Sequence, residues 1–366
     1  MAKSYRLGFV MEQTLGHVTH AKNLQQCISH DPEIIPTWIP VTAEVGDRWD
    51  KVPFVRSNWT LRASLRARDK VRAALRTTEL DGLFFHTSVT SIFSRGLMGR
   101  IPTVISMDAT PLNFDSIGRP YDHSPSSLTL LESIKNSINR GTFNKAARLV
   151  TWCEWTKDSL MSEYGMGAAK IRVIPPGVDL DKWKTAHEVE ARLPVRLLFV
   201  GGDFRRKGGE TLLRAFRQSL SQECELDIIT REPVDTTGLT GVRVHHGLGP
   251  NAPQLMQLYA QADIFVFPTE ADVLPLAIME AMASGLPVIT TEVGGLREQV
   301  ENGVTGFLVP LRDAGAVAAA TLQLVRDPGL RRRMSTAARQ VAEQKYNAAV
   351  NYQRLLDVCK ESVDKA

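Results

Sequence analysis

The chain has 366 residues, 43% of them hydrophobic, enough for two domains of ordinary size, each with its own core. A formal charge of +4 and a pI near 8.9 are far from the strongly basic balance of proteins that bind by neutralising phosphates, so nucleic acid is not an expected partner. Cys27, Cys153, Cys224 and Cys359 are scattered, with no CxxC pair or nearby histidine at metal spacing, which predicts neither a disulfide framework nor a zinc site. No run approaches the roughly 20 apolar residues that span a bilayer, and a cytoplasmic location is expected.

Short β-rich runs alternate with longer amphipathic stretches, a rhythm that predicts α/β architecture with parallel sheets. The first strand, Arg6 to Met11, leads through Gly16 into a helix; Gly16 would let bare backbone approach a phosphate, and His20 fits either a packed or a functional position. A second strand is predicted at Ile34 to Trp38. Residues 56–76 are rich in Arg and Lys, with Leu61, Leu65, Val71 and Leu75 on one helical stripe. This reads either as a helix resting on an anionic membrane surface, at the inner face of the membrane, or as a solvated helix on the first sheet. The strand Gly82 to His86 ends on a histidine that fits a ligand cleft or the core. The strand Thr103 to Met107 is followed by Asp108, which by itself fits a turn residue before Pro111 and, by the family resemblance given below, a sugar contact. Residues 109–144 read as a long connection, of the kind that tends to carry function; under the resemblance given below it would shape the acceptor site. Strands at Leu149 to Trp152 and Arg172 to Ile174 complete the first half.

The polar segment Lys184 to Pro194 reads as a linker. It divides a first domain, 1–183, from a second, 184–345, with a terminal helical segment, 346–366, returning to the first. Strands are predicted at Arg196 to Val200, Glu225 to Ile229, Val242 to His245, Ile264 to Phe267 and Pro287 to Thr291. After the first of these, GGDFRRKGG combines a tight glycine turn with Arg206 and Lys207, two cations suited to a pyrophosphate. The absence of a full GxxxxGK[ST] pattern disfavours a P-loop ATPase. After Phe267 comes an acidic loop, then a helix from about Leu274 to Ser284 with Pro275 early and Gly285 past its end. Asp272 and Glu280, eight residues apart, would lie roughly 12 Å apart on a helix. That is too far for a glycosidase pair and suits two separate hydrogen-bonding tasks along an extended ligand. Taken singly, Asp272 also fits a helix cap and Glu280 a solvated helical position.

Residues 265–310, with two acids bracketing seven residues and EAMASGLPVITTEVGG following, resemble the signature of retaining glycosyltransferases of family 4. The resemblance implies the GT-B fold, two doubly wound Rossmann-like domains facing across a cleft. It also implies that Glu280 holds the ribose hydroxyls, Asp272 the donor sugar, and the amides of Leu274, Pro275 and Leu276 the sugar and phosphate. Asp272 stands where the family usually has Glu, and Glu270 is a nearby substitute. The family commonly has Arg directly after the first glycine of the GG turn. This chain has Gly202 there, keeps Lys207, and offers Arg206 as replacement. Gly16, His20 and Leu24 keep the spacing of the family's first glycine loop, Asp108 stands at a usual histidine, and His86 lines the same cleft.

The function so implied is transfer of a hexose, with retention and without a metal or other cofactor, from a nucleotide sugar to an unidentified acceptor: glycan, lipid or small molecule. UDP is the commonest nucleotide in the family. DLD at residues 179–181 matches a DxD metal motif only superficially. The rivals are a nucleotide-sugar epimerase, a phosphorylase, and a non-catalytic protein that binds nucleotide sugar.

Overall fold

The structure is a computed structural model that describes all residues except 1–2, 15, 44–45, 122–128 and 185–192. The chain divides into two compact units. One comprises Met1–Asp115, Ser124–Pro176 and Ala348–Ala366; the other Ser116–His123 and Gly177–Asn347. The main chain thus leaves the first unit at Pro176, before the polar linker, most of which lies outside the described residues.

The first unit is built on β1 (Tyr5–Gln13), β2 (Ile34–Thr42), β3 (Gly82–His86), β4 (Thr103–Met107), β5 (Arg148–Thr151) and β6 (Ile171–Val173), with helices α1 (His17–Ile28), α2 (Trp59–Ala74), α3 (Pro111–Ile117), α4 (Thr129–Lys145) and α5 (Glu154–Ser162). All strand pairs are parallel, in the order β2-β1-β3-β4-β5-β6. Central strands β3 and β4 are buried at every position, as strands covered on both faces must be. Successive side chains point to opposite faces, so Phe85 and Val10 pack with Ala63, Ala67 and Val71 of α2 on one side. Phe84 and Phe9 pack on the other with Leu24 of α1 and with Tyr352, Leu355 and Leu356 of the C-terminal helix Ala348–Asp364. That helix is fastened at its far end by Lys360, whose ammonium lies 2.9 Å from Asp31 and 2.7 Å from Glu33.

The second unit carries β7 (Val195–Val200), β8 (Cys224–Ile229), β9 (Val242–His245), β10 (Ile264–Phe267), β11 (Val288–Thr291) and β12 (Gly306–Val309). Its helices include α6 (Gly209–Ala215), α7 (Pro253–Gln261), α8 (Leu276–Ala283), α9 (Ala314–Arg326) and α10 (Pro328–Lys345). The strand order is β12-β11-β10-β7-β8-β9, again all parallel. In each sheet the order reverses beside its first strand: between β1 and β3 in one, between β7 and β10 in the other. Such switch points leave a crevice outside the carboxyl ends of the strands, where ligands bind in open α/β sheets.

Three readings of the sequence change. Residues 109–144 are not a long loop: α3 and most of α4 fall within them, and only 122–128 lie outside the described residues. The strand β12 has no counterpart among the expectations. It is four residues long, and at Gly306 a Cβ would sit 1.8 Å from the Val288 carbonyl oxygen, so glycine, a poor strand former, is what lets it pair with β11. Finally, α8 begins after Pro275, which stands as its N-cap instead of inside its first turn.

Candidate active site

The second unit's switch point is lined by the loops after β7 and β10. The β7 loop turns back at Gly208, whose φ of +80° favours glycine and whose missing Cβ would lie 2.0 Å from the Pro268 carbonyl oxygen. Two bonds lace the loops: the Glu270 amide donates to the Arg206 carbonyl at 2.8 Å, and Thr269 Oγ1 donates to the same oxygen at 3.2 Å. Lys207 Nζ is thereby delivered onto the Asp272 carboxylate, both side chains being largely buried. Loss of solvent lowers the Lys207 pKa, and the Asp272 charge opposes that fall.

The other expected cation is differently placed. Arg206 is 5% exposed; its Nε pairs with Asp203 at 2.8 Å and its Nη1 donates to the Ala271 carbonyl at 3.0 Å. The ring of Tyr121 covers its guanidinium at 4.1 Å. Glu270 is likewise engaged, by Arg312 at 2.5 Å. Asp272 bonds its following amide, Val273 N, at 3.0 Å. Its carbonyl oxygen would lie 2.3 Å from a Cβ on Gly294, where φ is +56°.

Leu274, Pro275 and Leu276 are buried, and no side chain caps α8, so its first amides are not taken by a side-chain acceptor. One turn on, Glu280 is 6% exposed, and burial pushes its carboxyl up to about 7, against the bond from Tyr259 that draws it down. The Tyr259 hydroxyl lies 3.1 Å from Glu280 Oε2 and 3.2 Å from the Ala277 carbonyl, with one proton to give. A protonated Glu280 can donate to the phenol oxygen and leave that proton for Ala277, so the neutral acid satisfies all three groups.

At the first unit's switch point, β1 carries Glu12 one residue before its end, a residue the sequence reading passes over. Glu12 is 5% exposed and accepts from Thr87 Oγ1 at 2.5 Å, Thr14 Oγ1 at 2.6 Å and Trp59 Nε1 at 3.3 Å. His86 is fully buried, its ring stacked on Trp152 at 5.2 Å and its Nε2 3.0 Å from His17 Nδ1. Burial first, then the neighbouring histidines, hold its pKa well below the ordinary value. His20 is also in the core, its Nδ1 3.1 Å from the Tyr352 hydroxyl, with its pKa lowered to about 3 by burial and by His17. Asp108 follows β4; burial raises its carboxyl pKa and the nearby His17 draws it down. His17, also missed, lies 3.0 Å from His86 and near enough to Asp108 to act electrostatically on its carboxyl. Gly16 precedes it at φ −68°, and a Cβ there would meet nothing within 4 Å, so local sterics do not demand the glycine.

The basic helix α2 is largely neutralised from within. Arg66 is 4% exposed and pairs with Asp47 and, at 2.6 Å, with Asp50; Arg62 faces Asp50, and Lys70 donates to the Pro40 carbonyl. DLD forms a turn in which Asp179 pairs with Lys182 at 3.0 Å.

Two family models match the chain in succession: Glycosyltransferase Family 4 over residues 27–182 and Glycosyl transferases group 1 over residues 194–327. The chain belongs to the family 4, group 1 glycosyltransferases. This family 4 chain is 31% identical over 210 residues to a D-inositol 3-phosphate glycosyltransferase of Catenulispora acidiphila, a match covering 50% of each chain. It is 30% identical over 208 residues to glycogen synthase of Mycobacterium tuberculosis, covering 52% of this chain and 49% of that one. The matches thus span about half the length of these curated relatives. Among solved structures, sucrose-phosphate synthase of Thermosynechococcus elongatus superposes with a TM-score of 0.78 at 16% identity, covering 99% of this chain and 100% of that one. Anabaena HepE, solved in complex with UDP-glucose, superposes with a TM-score of 0.70 at 16% identity over 98% and 100% of the two chains. The fold of this family 4 member is therefore GT-B. Among its described residues no helix is long and apolar enough to cross a membrane.

Proposed function

We propose that the chain transfers a hexosyl group, with retention and without a metal, from a nucleotide sugar to an acceptor hydroxyl. The observation that carries this reading is the meeting of Lys207 and Asp272 at the second unit's switch point, in the loop that leads into α8 and its buried Glu280. A diphosphate competes with Asp272 for the Lys207 ammonium, so binding frees the Asp272 carboxylate to accept from sugar hydroxyls. As the glycosidic bond breaks, negative charge grows on the departing diphosphate, where Lys207 and the uncapped amides of α8 stabilise it. Glu280 accepts from the ribose hydroxyls, and as a carboxylate it offers both oxygens to them, so binding favours its ionised form. In the first unit Asp108 and His17 are the candidate polar contacts for a sugar hydroxyl, and His86, fully buried with both ring nitrogens engaged, stands behind His17. UDP is the first nucleotide to test, since HepE has been solved with UDP and with UDP-glucose.

Thermal stability with UDP, GDP, ADP, dTDP and their sugar conjugates, with and without magnesium, tests the donor site. A ligand at 100 times its Kd adds about 2.7 kcal/mol. A selective shift that is lost in Glu280→Ala and Lys207→Ala supports the reading, and no shift from any nucleotide sinks it. NMR of the product's anomeric configuration then tests retention: an inverted product overturns it.

A second reading, a protein that binds the donor without turnover, draws support from Arg206, whose guanidinium is held by Asp203 and the Ala271 carbonyl. It predicts nucleotide-sugar binding with no nucleotide released in the presence of any acceptor. Contact with an anionic membrane through residues 56–76 finds its best support just ahead of α2. There Phe54 is 73% exposed between the exposed Lys51 and Arg56. Sedimentation with anionic vesicles that survives Phe54→Ser with Lys51→Glu and Arg56→Glu would refute that placement.

A further inference from the structure

Beside the Lys207 loop, the residue after Gly201 is a glycine, and the space over it is filled from another strand. A Cβ on Gly202 would lie 2.8 Å from Arg231 Nε and 2.9 Å from Arg231 Nη2. The Arg231 guanidinium therefore rests directly on the Gly202 backbone, at the carboxyl end of β8 next to β7. Any side chain at position 202 would displace it. Arg231 is exposed, and among the described residues its guanidinium has no carboxylate or carbonyl partner.

Of the three cations in the neighbouring β7 loop, Arg206 is held by Asp203 and Ala271 and Lys207 by Asp272, while Arg205 is exposed on that loop. A planar guanidinium held over bare backbone with its donors open is suited to bidentate binding of a phosphate. The family's common Arg at the Gly202 position is thus replaced in space by an arginine that the linear sequence places 29 residues later.

We infer that Arg231 contacts the diphosphate of the donor, with Gly202 as the seat that admits it, while Arg206 holds the loop together. This rests on the donor-site reading above. It also assigns Gly202 a function: its lack of a side chain makes room for the arginine, so the position is not a simple loss.

The test uses whichever of UDP, GDP, ADP and dTDP the full chain binds most tightly, with its parent nucleoside as control, by calorimetry and competition. Arg231→Ala is expected to weaken the diphosphate about 10- to 100-fold, the usual worth of one charge-assisted contact, and the nucleoside by less than about twofold. Arg231→Gln should lose nearly as much. Gly202→Arg in the Arg231→Ala background should recover most of the loss by returning the guanidinium to the same space. Unchanged diphosphate affinity in Arg231→Ala, with Lys207→Ala impaired, overturns the assignment and leaves the donor site standing. Equal losses for diphosphate and nucleoside also overturn it, because they place Arg231 against the base or the fold. A chain that binds none of the four diphosphates overturns the donor site and this assignment together.

Discussion

Replacing Glu280 by Gln removes an ionisable group from a site that disfavours its charge while keeping its shape and its acceptor oxygen. Burial raises the carboxyl from 4.5 to about 7 in the folded chain. At about 1.4 kcal/mol per unit, the ionised form costs about 3 kcal/mol of stability. Below pH 4.5 both states are protonated and the cost is absent. Between pH 4.5 and 7 the unfolded chain releases the proton that the folded chain keeps, so stability falls as pH rises; above 7 the loss is complete. Glu280→Gln should therefore match the wild type within about 1 kcal/mol at pH 5 and exceed it by about 3 kcal/mol at pH 8. Urea unfolding at pH 5, 6, 7 and 8 measures this directly. The stabilised variant should bind nucleotide less well, because ribose hydroxyls favour the carboxylate. Wild-type binding should take up hydroxide, or equivalently release a proton, near pH 6, detectable by calorimetry in two buffers of different ionisation enthalpy. Stability curves for the two proteins that run parallel from pH 5 to 8 would refute the reasoning.

Lys207→Ala leaves Asp272 buried without its partner and should cost about 3 kcal/mol, largely regained in Lys207→Ala with Asp272→Ala; a double variant no more stable than the single one would show the pair is not coupled. Gly208→Ala drives a Cβ into the Pro268 carbonyl at a positive φ and should lower stability by more than about 3 kcal/mol, read as a lost or sharply lowered thermal transition. Gly16→Ala meets nothing, so its stability should change by less than about 1 kcal/mol, and any loss of donor affinity in that variant reports backbone approach by the ligand. Burial pushes the Asp227 carboxyl up, but Arg243 and His245 overcome it and hold its pKa below the usual value. Its contribution is present above pH 3.8 and lost on acidification, so Asp227→Asn should be destabilised at pH 6 and approach the wild type near pH 3 in urea titrations.

The strands were legible because their information is local: apolar runs bounded by turn residues, as in Gly82–His86 and Ile264–Phe267, need no distant partner to be recognised. So was the attachment of the GG turn and the acidic loop to strand ends. The residues 109–144 misled because NSINRGTFNK, which carries much of α4, is poor in strong helix formers, and tertiary packing of Phe143 supplies what propensity lacks. Charge was the least legible property. In sequence α2 is a basic face; in space Arg66 reaches Asp47 and Asp50, 19 and 16 positions earlier, and turns inward. The same holds for Arg206, which looks like Lys207 until Asp203 and Ala271 are seen to hold it. Glu12 and His17 escaped notice because neither is a residue that the glycine-loop spacing picks out, and only the placing of β1 beside β3, with α1 following, brings them to Thr87 and His86.

The last nineteen residues of the chain belong to the first unit, where Tyr352, Leu355 and Leu356 cover Phe9, Phe84 and Leu24. During synthesis, the part of that face that α1 does not cover therefore stays open until the whole second unit has been made. At translation rates of roughly 5 to 20 residues per second, that wait is on the order of 10 to 30 s. A fragment ending at Pro176 would carry the same exposed face permanently. The first unit is thus sealed only after the second has been made, and a nascent chain halted before Ala348 should be the form that chaperones and proteases recognise.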